Sequence, residues 1–190
     1  MGSMILLSVG RLEIAWGKNH FFPDFSTLFQ ASDLQDVPYY YAGDAIPEKD
    51  DEWEVITEYK EGLLKPLSEV IDRIKLLGYT SEYCKDEFNY LCEMNGLDTE
   101  KFTFEHLKTA LETVDVYSIS LDYGQGGEDF GKFFRRELFP RLGLEKIVED
   151  SKYAEFEAGY AMENLSPYTI LTLLANNPTA KNLPVIWGFK

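Results

Sequence analysis

The segment between Leu63 and Leu77 constrains the fold of this chain more than any other. Its apolar residues recur at intervals of three and four, which places them on one face of an α-helix. Pro66 stands near the start and Gly78 follows the end, as is typical of helix boundaries. The pattern predicts an amphipathic helix that must bury one face. Its apolar positions are Leu63, Leu67, Val70, Ile71, Ile74 and Leu77.

Two further helices are predicted downstream of this one. The first covers about residues 82 to 95 and is closed by Gly96. We expect four of its side chains to point inward, namely Tyr83, Phe88, Leu91 and Cys92. Thr103 can cap the second, because its hydroxyl can accept a hydrogen bond from a free backbone N–H of the first turn. The apolar stripe of that helix is Phe104, Leu107, Ala110, Leu111 and Val114.

Strands are predicted at both ends of the chain and near its middle. "SMILLSV" and "LEIAW" flank Gly10 and Arg11, which suits a tight hairpin. "VYSISLDY" alternates like a strand, and the final "LPVIWGF" is predicted to be a strand or an extended tail. "EDFGKFFRRELF" predicts a helix that ends before Pro140, and Ser166 with Pro167 marks another helix start. Together these elements predict the α+β class, as a single domain over residues 1–190 with a small amino-terminal sheet packed against several helices.

The charge of the chain restricts its partners. The formal net charge is −15, and such a surface repels the phosphates of nucleic acid. No apolar stretch approaches the ~18 residues that cross a bilayer, and the amino terminus lacks the features of a signal peptide. We therefore expect a cytoplasmic protein with no membrane or direct nucleic-acid partner. An acidic surface of this kind either attracts a basic protein or serves solubility alone.

Much of the acidity is concentrated between Asp44 and Glu61, where Trp53 is set among carboxylates. An aromatic residue surrounded by acids suits a binding surface for a basic partner, although a solvated loop explains such a run equally simply. The tyrosines at 39 to 41 are neighbours of this surface, or a strand that is half buried and half exposed. The predicted partner-binding residues are Asp44, Glu48, Asp50, Asp51, Glu52, Trp53, Glu54, Glu58, Tyr39, Tyr40 and Tyr41.

A glycine-rich stretch, "LDYGQGGEDFGKFFR", raises the possibility of a phosphate loop. Such a loop needs backbone N–H groups at a helix start, usually with a lysine beside Ser or Thr. Here Glu128 and Asp129 occupy the predicted helix start and themselves complement the helix dipole. The stretch is better interpreted as a glycine turn that leads into an acidic helix start.

The sequence gives little support for a disulfide, a catalytic triad or a metal site. Cys84 and Cys92 lie eight positions apart, about 12 Å along a helix, which is too far for a disulfide, so we expect reduced and buried thiols. His20 and His106 have no motif-defined nucleophile and acid beside them. For the adjacent Arg135 and Arg136 we expect one internal salt bridge and one solvent-exposed side chain. No catalytic residue, metal site or cofactor is predicted.

Several stretches together resemble one bacterial family. They are "SMILLSVGRLEIAWGKN", "VPYYYA", "EYKEGLLKPLSEVIDRIKLLGYT", "YGQGGEDFGKFFRRELFP" and "ENLSPYTILTLLANNPTA". They are similar to the HEPN/Toprim-associated amino-terminal domain of bacterial conflict and defence proteins. The resemblance implies a domain that precedes a Toprim nuclease-like domain or a HEPN ribonuclease domain. This chain has neither the D-x-D pair of a Toprim metal site nor an R-x(4–6)-H motif of the HEPN type, so the resemblance transfers no catalytic residue.

A small, acidic protein from such a family has the properties of an immunity protein. We expect it to bind a basic nuclease toxin, in particular the ribonuclease toxin of a contact-dependent growth inhibition system, and to block the cationic cleft with carboxylates. The main alternative is a sensing or regulatory domain of a larger Toprim or HEPN defence protein, which a reading frame that continues past Lys190 would favour. An enzyme with an unrecognised site is a third possibility, which a buried cleft with paired carboxylates would support.

Overall fold

A computed structural model describes residues 4–10, 12–17, 39–40, 65–115, 133–143 and 151–189. The fold is of the α+β class, as predicted, with a small sheet and a larger helical part. The chain forms two compact units. One comprises Met1–Arg73, Asp115–Glu128 and Thr179–Lys190, and the other comprises Ile74–Val114 and Asp129–Pro178.

The sheet of the first unit begins with the predicted hairpin. Strands β1 (Met4–Val9) and β2 (Leu12–Gly17) pair antiparallel, with Val9 opposite Leu12. Gly10 makes the turn with a φ of 59°, a conformation that favours glycine because it has no Cβ. Its N–H donates to the Pro184 carbonyl at 2.8 Å, so the turn is tied to the other end of the chain.

The carboxyl-terminal strand lies at the centre of this sheet. Strand β5 (Pro184–Phe189) pairs antiparallel with β1 and parallel with β3 (Tyr39–Tyr40), which gives the order β2-β1-β5-β3. The two-residue β4 (Lys65–Pro66) also pairs antiparallel with β5. The final segment is therefore a strand, and it joins distant parts of the sequence in one sheet.

Helix α1 (Leu67–Leu76) corresponds to the amphipathic repeat but begins later than its first apolar residue. Pro66 still belongs to β4, and the Leu67 N–H donates to the Leu183 carbonyl at 2.9 Å, so the helix can begin only after the strand pairing ends. Gly78 follows the helix with a φ of 102°, as the boundary predicted. The predicted stripe is buried at Leu67, Val70, Ile71 and Ile74, whereas Leu63 lies outside the described residues.

The first helix that lies wholly in the second unit is α2 (Ser81–Met94), capped by the Thr80 hydroxyl, which accepts from the Tyr83 N–H at 3.3 Å. Its buried face consists of Cys84, Phe88 and Cys92. The expectation that Tyr83 points inward was wrong, because its side chain is exposed and Cys84, the next residue, faces the core instead. Adjacent side chains of an α-helix project about 100° apart, so the buried side was predicted one residue too early at this point of α2.

Helix α3 (Phe104–Glu112) follows the prediction closely. The Thr103 hydroxyl accepts from the His106 N–H at 3.1 Å, which confirms the cap. All five residues of the predicted stripe are buried. Phe104 belongs to an aromatic core in which the ring centroids of successive pairs are 5.4 to 6.0 Å apart, typical of favourable aromatic packing. The core rings are Phe88, Phe102, Phe104, Phe134 and Phe139.

The helical segment around Arg135 does not end before Pro140, contrary to prediction. Residues Phe134–Leu138 form a π-helical turn, and Phe139–Leu142 continues as a 3₁₀ turn that contains the proline. Pro140 lies in the first positions of this turn, where its missing N–H leaves no intrahelical bond unmade. The side chain of Arg136 is exposed, whereas that of Arg135 is half-buried.

Two helices complete the second unit. Helix α4 (Ser151–Glu163) comes first, and the Ser166 hydroxyl then caps α5 (Pro167–Leu174) by accepting from the Thr169 N–H at 3.4 Å. The predicted helix start at Ser166 is thus confirmed. Helix α5 forms the centre of the unit, since the described side chains within it are all buried. In the ranges that the structure describes, no helix has the length and apolar character needed to cross a membrane.

Candidate interaction surface

Most of the predicted partner-binding residues lie outside the described residues. Tyr39 and Tyr40 form β3, where they pair with Trp187 and Gly188 of β5. Outside the described ranges are Tyr41, Asp44, Glu48, Asp50, Asp51, Glu52, Trp53, Glu54 and Glu58, together with the predicted strand at 116–123 and the glycine-rich turn. The prediction of a binding surface there stays a prediction, and the second unit offers a different candidate surface.

This candidate surface consists of large apolar side chains that α2 and α4 expose to solvent. On α2, Tyr90 is 60% exposed and Met94 is 68% exposed, and Tyr83 lies two turns before Tyr90 on the same side. On α4, the exposed fractions of Tyr153, Phe156 and Tyr160 lie between 53% and 55%, at spacings of three and four. We call these six residues the aromatic face. They are Tyr83, Tyr90, Met94, Tyr153, Phe156 and Tyr160.

The two helices that carry the aromatic face run antiparallel. Near the end of α2, the position of a Cβ on Gly96 would lie 3.6 Å from the Tyr153 hydroxyl at the start of α4. Near the middle of α2, the Glu87 carboxylate accepts from the Ser166 N–H, just beyond the end of α4, at 2.8 Å. The two helices contact each other and run in opposite directions, and each exposes its own set of large apolar side chains.

The core behind the face holds both helices in place. The Arg135 side chain packs against Gly159 of α4, where an added Cβ would lie 2.6 Å from Arg135 Cδ. Tyr79, just before α2, stacks on Tyr168 of α5 with ring centroids 3.7 Å apart. It also meets Tyr83 edge-on at 5.2 Å. Partial burial raises the pKa of the Tyr83 phenol, with Glu87 as the second cause.

Glu87 connects α2 to the start of α5. A capping box normally supplies this carboxylate from the third residue of the same helix, which here is Thr169. Glu87 takes that role from a different helix, because it accepts from the N–H of the cap residue Ser166, whose hydroxyl in turn accepts from Thr169. Burial raises the pKa of the Glu87 carboxyl, and the hydrogen bonds from Ser166 and Thr169 oppose that rise only in part.

The two thiols are structural, as predicted. Both cysteines are reduced and buried in α2. The Cys84 thiol lies 3.5 Å from the Thr172 hydroxyl of α5, and burial raises its pKa. Burial also raises the pKa of Cys92, to about 12. Within the described part of the chain, no group of three or more His, Cys, Asp or Glu side chains is placed to hold a metal ion.

His106 lines a shallow pocket between α3 and the 3₁₀ turn. Other polar side chains that line the pocket already have partners. The Thr109 and Thr113 hydroxyls donate to carbonyls of α3 at 3.1 Å. The Arg141 guanidinium lies 3.6 Å from the Glu137 carboxylate. We assign no ligand to this pocket, because its hydroxyl and guanidinium donors are engaged in local contacts.

The fold and the exposed residues define a class: an α+β protein whose helical unit exposes several large apolar side chains. The model of the HEPN/Toprim N-terminal domain 1 family matches residues 1–190, and the chain belongs to that family. The resemblance inferred from the sequence motifs is therefore confirmed. No curated protein and no solved structure matches the chain.

Sequence patterns alone did not reveal the aromatic face. Tyr90 and Met94 stand at helical spacing, which usually indicates a buried stripe. The signal that could have found them is that α2 carries two apolar stripes, one through Cys84 and Cys92 and one through Tyr90. A helix with a single core-facing side needs only the first.

Proposed function

We propose that this chain is a partner-binding, regulatory amino-terminal domain of a HEPN/Toprim conflict system, which controls an effector domain by contact and carries out no chemistry itself. The observation that carries the proposal is the family match over residues 1–190. The exposed aromatic face of the second unit adds support, because patches of large apolar side chains on a protein surface commonly mark binding sites.

The test uses the HEPN or Toprim domain encoded in the same reading frame or in an adjacent gene. We expect that effector to bind the 190-residue chain and its nuclease activity to change as the chain is added, reaching a limit at equimolar ratio. The effector with its catalytic residues replaced should bind equally well, which separates contact from turnover. No binding and unchanged activity, with an effector shown to be active, would refute the proposal.

The net charge of −15 favours a second candidate function, an immunity protein for a basic nuclease toxin. Its carboxylates would fill the cleft through which the toxin holds phosphates. The same assay distinguishes the two functions when the salt concentration is varied. A cleft inhibitor should abolish cleavage and lose affinity steeply between about 0.05 and 0.5 M salt. A regulatory domain should change the effector's activity and lose less affinity with added salt, because apolar contacts hold part of the complex.

A further inference from the structure

We infer that the aromatic face of α2 and α4 is the docking site for a basic amphipathic segment, which inserts apolar side chains among the exposed rings. The inference rests on the proposed function, because it names the surface and the chemistry by which this domain would hold its effector. The face contains none of the residues of the acidic Asp44–Glu61 segment predicted from the sequence.

The aromatic face offers a large apolar area. Aromatic side chains bury 150–250 Å² each when fully covered and carry much of the energy at protein interfaces. Five of the six residues of the face are more than half exposed. The described part of the second unit also buries a full aromatic core elsewhere, so the exposed rings are additional to those that its fold uses.

Carboxylates lie beside the rings on both helices. On α2, Asp86 and Glu93 are exposed and lie four residues before and three residues after Tyr90, which makes them its neighbours on the helix surface. On α4, the half-buried Glu157 lies three residues before Tyr160. Lys152, at the amino end of α4, is a basic neighbour on that helix.

These carboxylates select among the possible occupants. An anionic membrane surface or a nucleic acid would bring phosphates against them. A second copy of the chain would bring the same acids into a two-fold interface and add its own charge of −15. A segment that carries Lys or Arg beside its apolar anchors instead satisfies the rings and the carboxylates together.

The test uses defined peptides and the complete chain. The probe is a helical peptide of about 18 residues, built from Lys and Leu so that the leucines form one face. A Lys/Ser peptide of equal charge and a Glu/Leu peptide of equal pattern serve as controls. We expect the Lys/Leu peptide to bind at least about tenfold more tightly than either control, measured by calorimetry at ~0.15 M salt.

Variants locate the site. Replacing Tyr90, Phe156 and Tyr160 together with Ser should weaken binding of the Lys/Leu peptide by about tenfold or more. Leu76→Ser is the matched control, because Leu76 is 83% exposed but lies outside the face. Asp86→Asn with Glu93→Gln should weaken binding more than Glu105→Gln with Glu112→Gln, which removes the same charge from exposed positions of α3. Circular dichroism checks that each variant is folded.

Three results would overturn the inference: no binding of the Lys/Leu peptide, equal binding of the Lys/Ser peptide, or unchanged binding by the triple-serine variant. A dimer of the unaltered chain that dissociates in the same variant would assign the face to a second copy instead. An effector that binds unaltered and triple-serine chains equally leaves the proposed function standing but refutes the docking site. An effector that never binds, beside a peptide that does, refutes the function alone.

Discussion

At the scale of single residues, the Asn177 amide closes the end of α3. Its Nδ2 donates to the carbonyls of Leu111 and Val114 at 2.7 and 2.5 Å, and the side chain is 1% exposed. The Leu111 carbonyl also accepts from the Val114 N–H at 3.3 Å, so the amide matters most for the Val114 carbonyl just beyond the helix, and a buried carbonyl that loses its donor costs free energy. Asn177→Ala should therefore lower the free energy of unfolding by about 2–3 kcal/mol, measured by urea denaturation.

Asn176 provides the control for that measurement. Its amide makes similar bonds to the carbonyls of Thr172 and Leu173 at the end of α5, but it is only partly buried, so water can replace it. We expect Asn176→Ala to cost about 1 kcal/mol or less. Equal losses in the two variants would contradict the importance given to the burial of Asn177.

The Glu87 carboxyl makes stability depend on pH. Its raised pKa means that the folded protein holds this proton more tightly than the unfolded chain does, where the ordinary value is 4.5. Its stabilising contribution is thus complete below pH 4.5 and is lost as pH rises through the raised pKa. Gln stays neutral and can still accept from Ser166. The stability of Glu87→Gln relative to the unaltered protein should therefore increase from about pH 4 to about pH 7.

Glu93→Gln is the matched control for this pH series. It removes the same charge from an exposed position of α2, so it corrects for the general relief of repulsion in an acidic protein. Thermal unfolding of the three proteins at each pH isolates the local effect. A pH dependence of Glu87→Gln no greater than that of Glu93→Gln would contradict the role assigned to burial.

At the scale of elements, the buried thiols of α2 report whether that helix is in place. A pKa of about 12 leaves about one Cys92 in ten thousand as thiolate at pH 8, and the folded protein also denies access to reagents. We expect iodoacetamide to modify neither cysteine in the folded protein and both in urea, as measured by mass spectrometry. Glu93→Cys supplies an exposed control thiol that should react at once, and equal rates for all three would refute the packing of α2.

The elements also show how much of the fold local sequence could predict. Thr103 and Ser166 correctly predicted the starts of their helices, because a few neighbouring residues decide a helix cap. The rotation of α2 was mispredicted at Tyr83 because contacts with α4 and α5, far along the chain, decide which side faces inward. The central place of β5 has the same origin, since pairing with β1 joins the two ends of the sequence. Of the candidate site, local patterns placed Tyr83, Tyr90 and Met94 in a predicted helix but did not show that they are exposed, and they did not predict α4 at all.

At the scale of the whole molecule, acidity and apolar surface should act on different steps of binding. Long-range attraction by carboxylates accelerates the encounter with a basic partner and is screened by salt, whereas packed aromatic contacts hold the complex once it has formed. For the proposed effector, we expect the acidic segment to govern the association rate constant and the aromatic face to govern the dissociation rate constant.

Two multiple variants test that separation by surface plasmon resonance against the same effector. Replacing Asp50, Asp51, Glu52 and Glu54 with Ser removes four charges of the net −15 and should slow association and flatten its salt dependence. Replacing Tyr90, Phe156 and Tyr160 with Ser should leave association nearly unchanged and accelerate dissociation by about tenfold or more. Unchanged kinetics in the first variant would place the electrostatic contact elsewhere. If the second variant only slowed association and left dissociation unchanged, the rings would steer the encounter without packing in the complex.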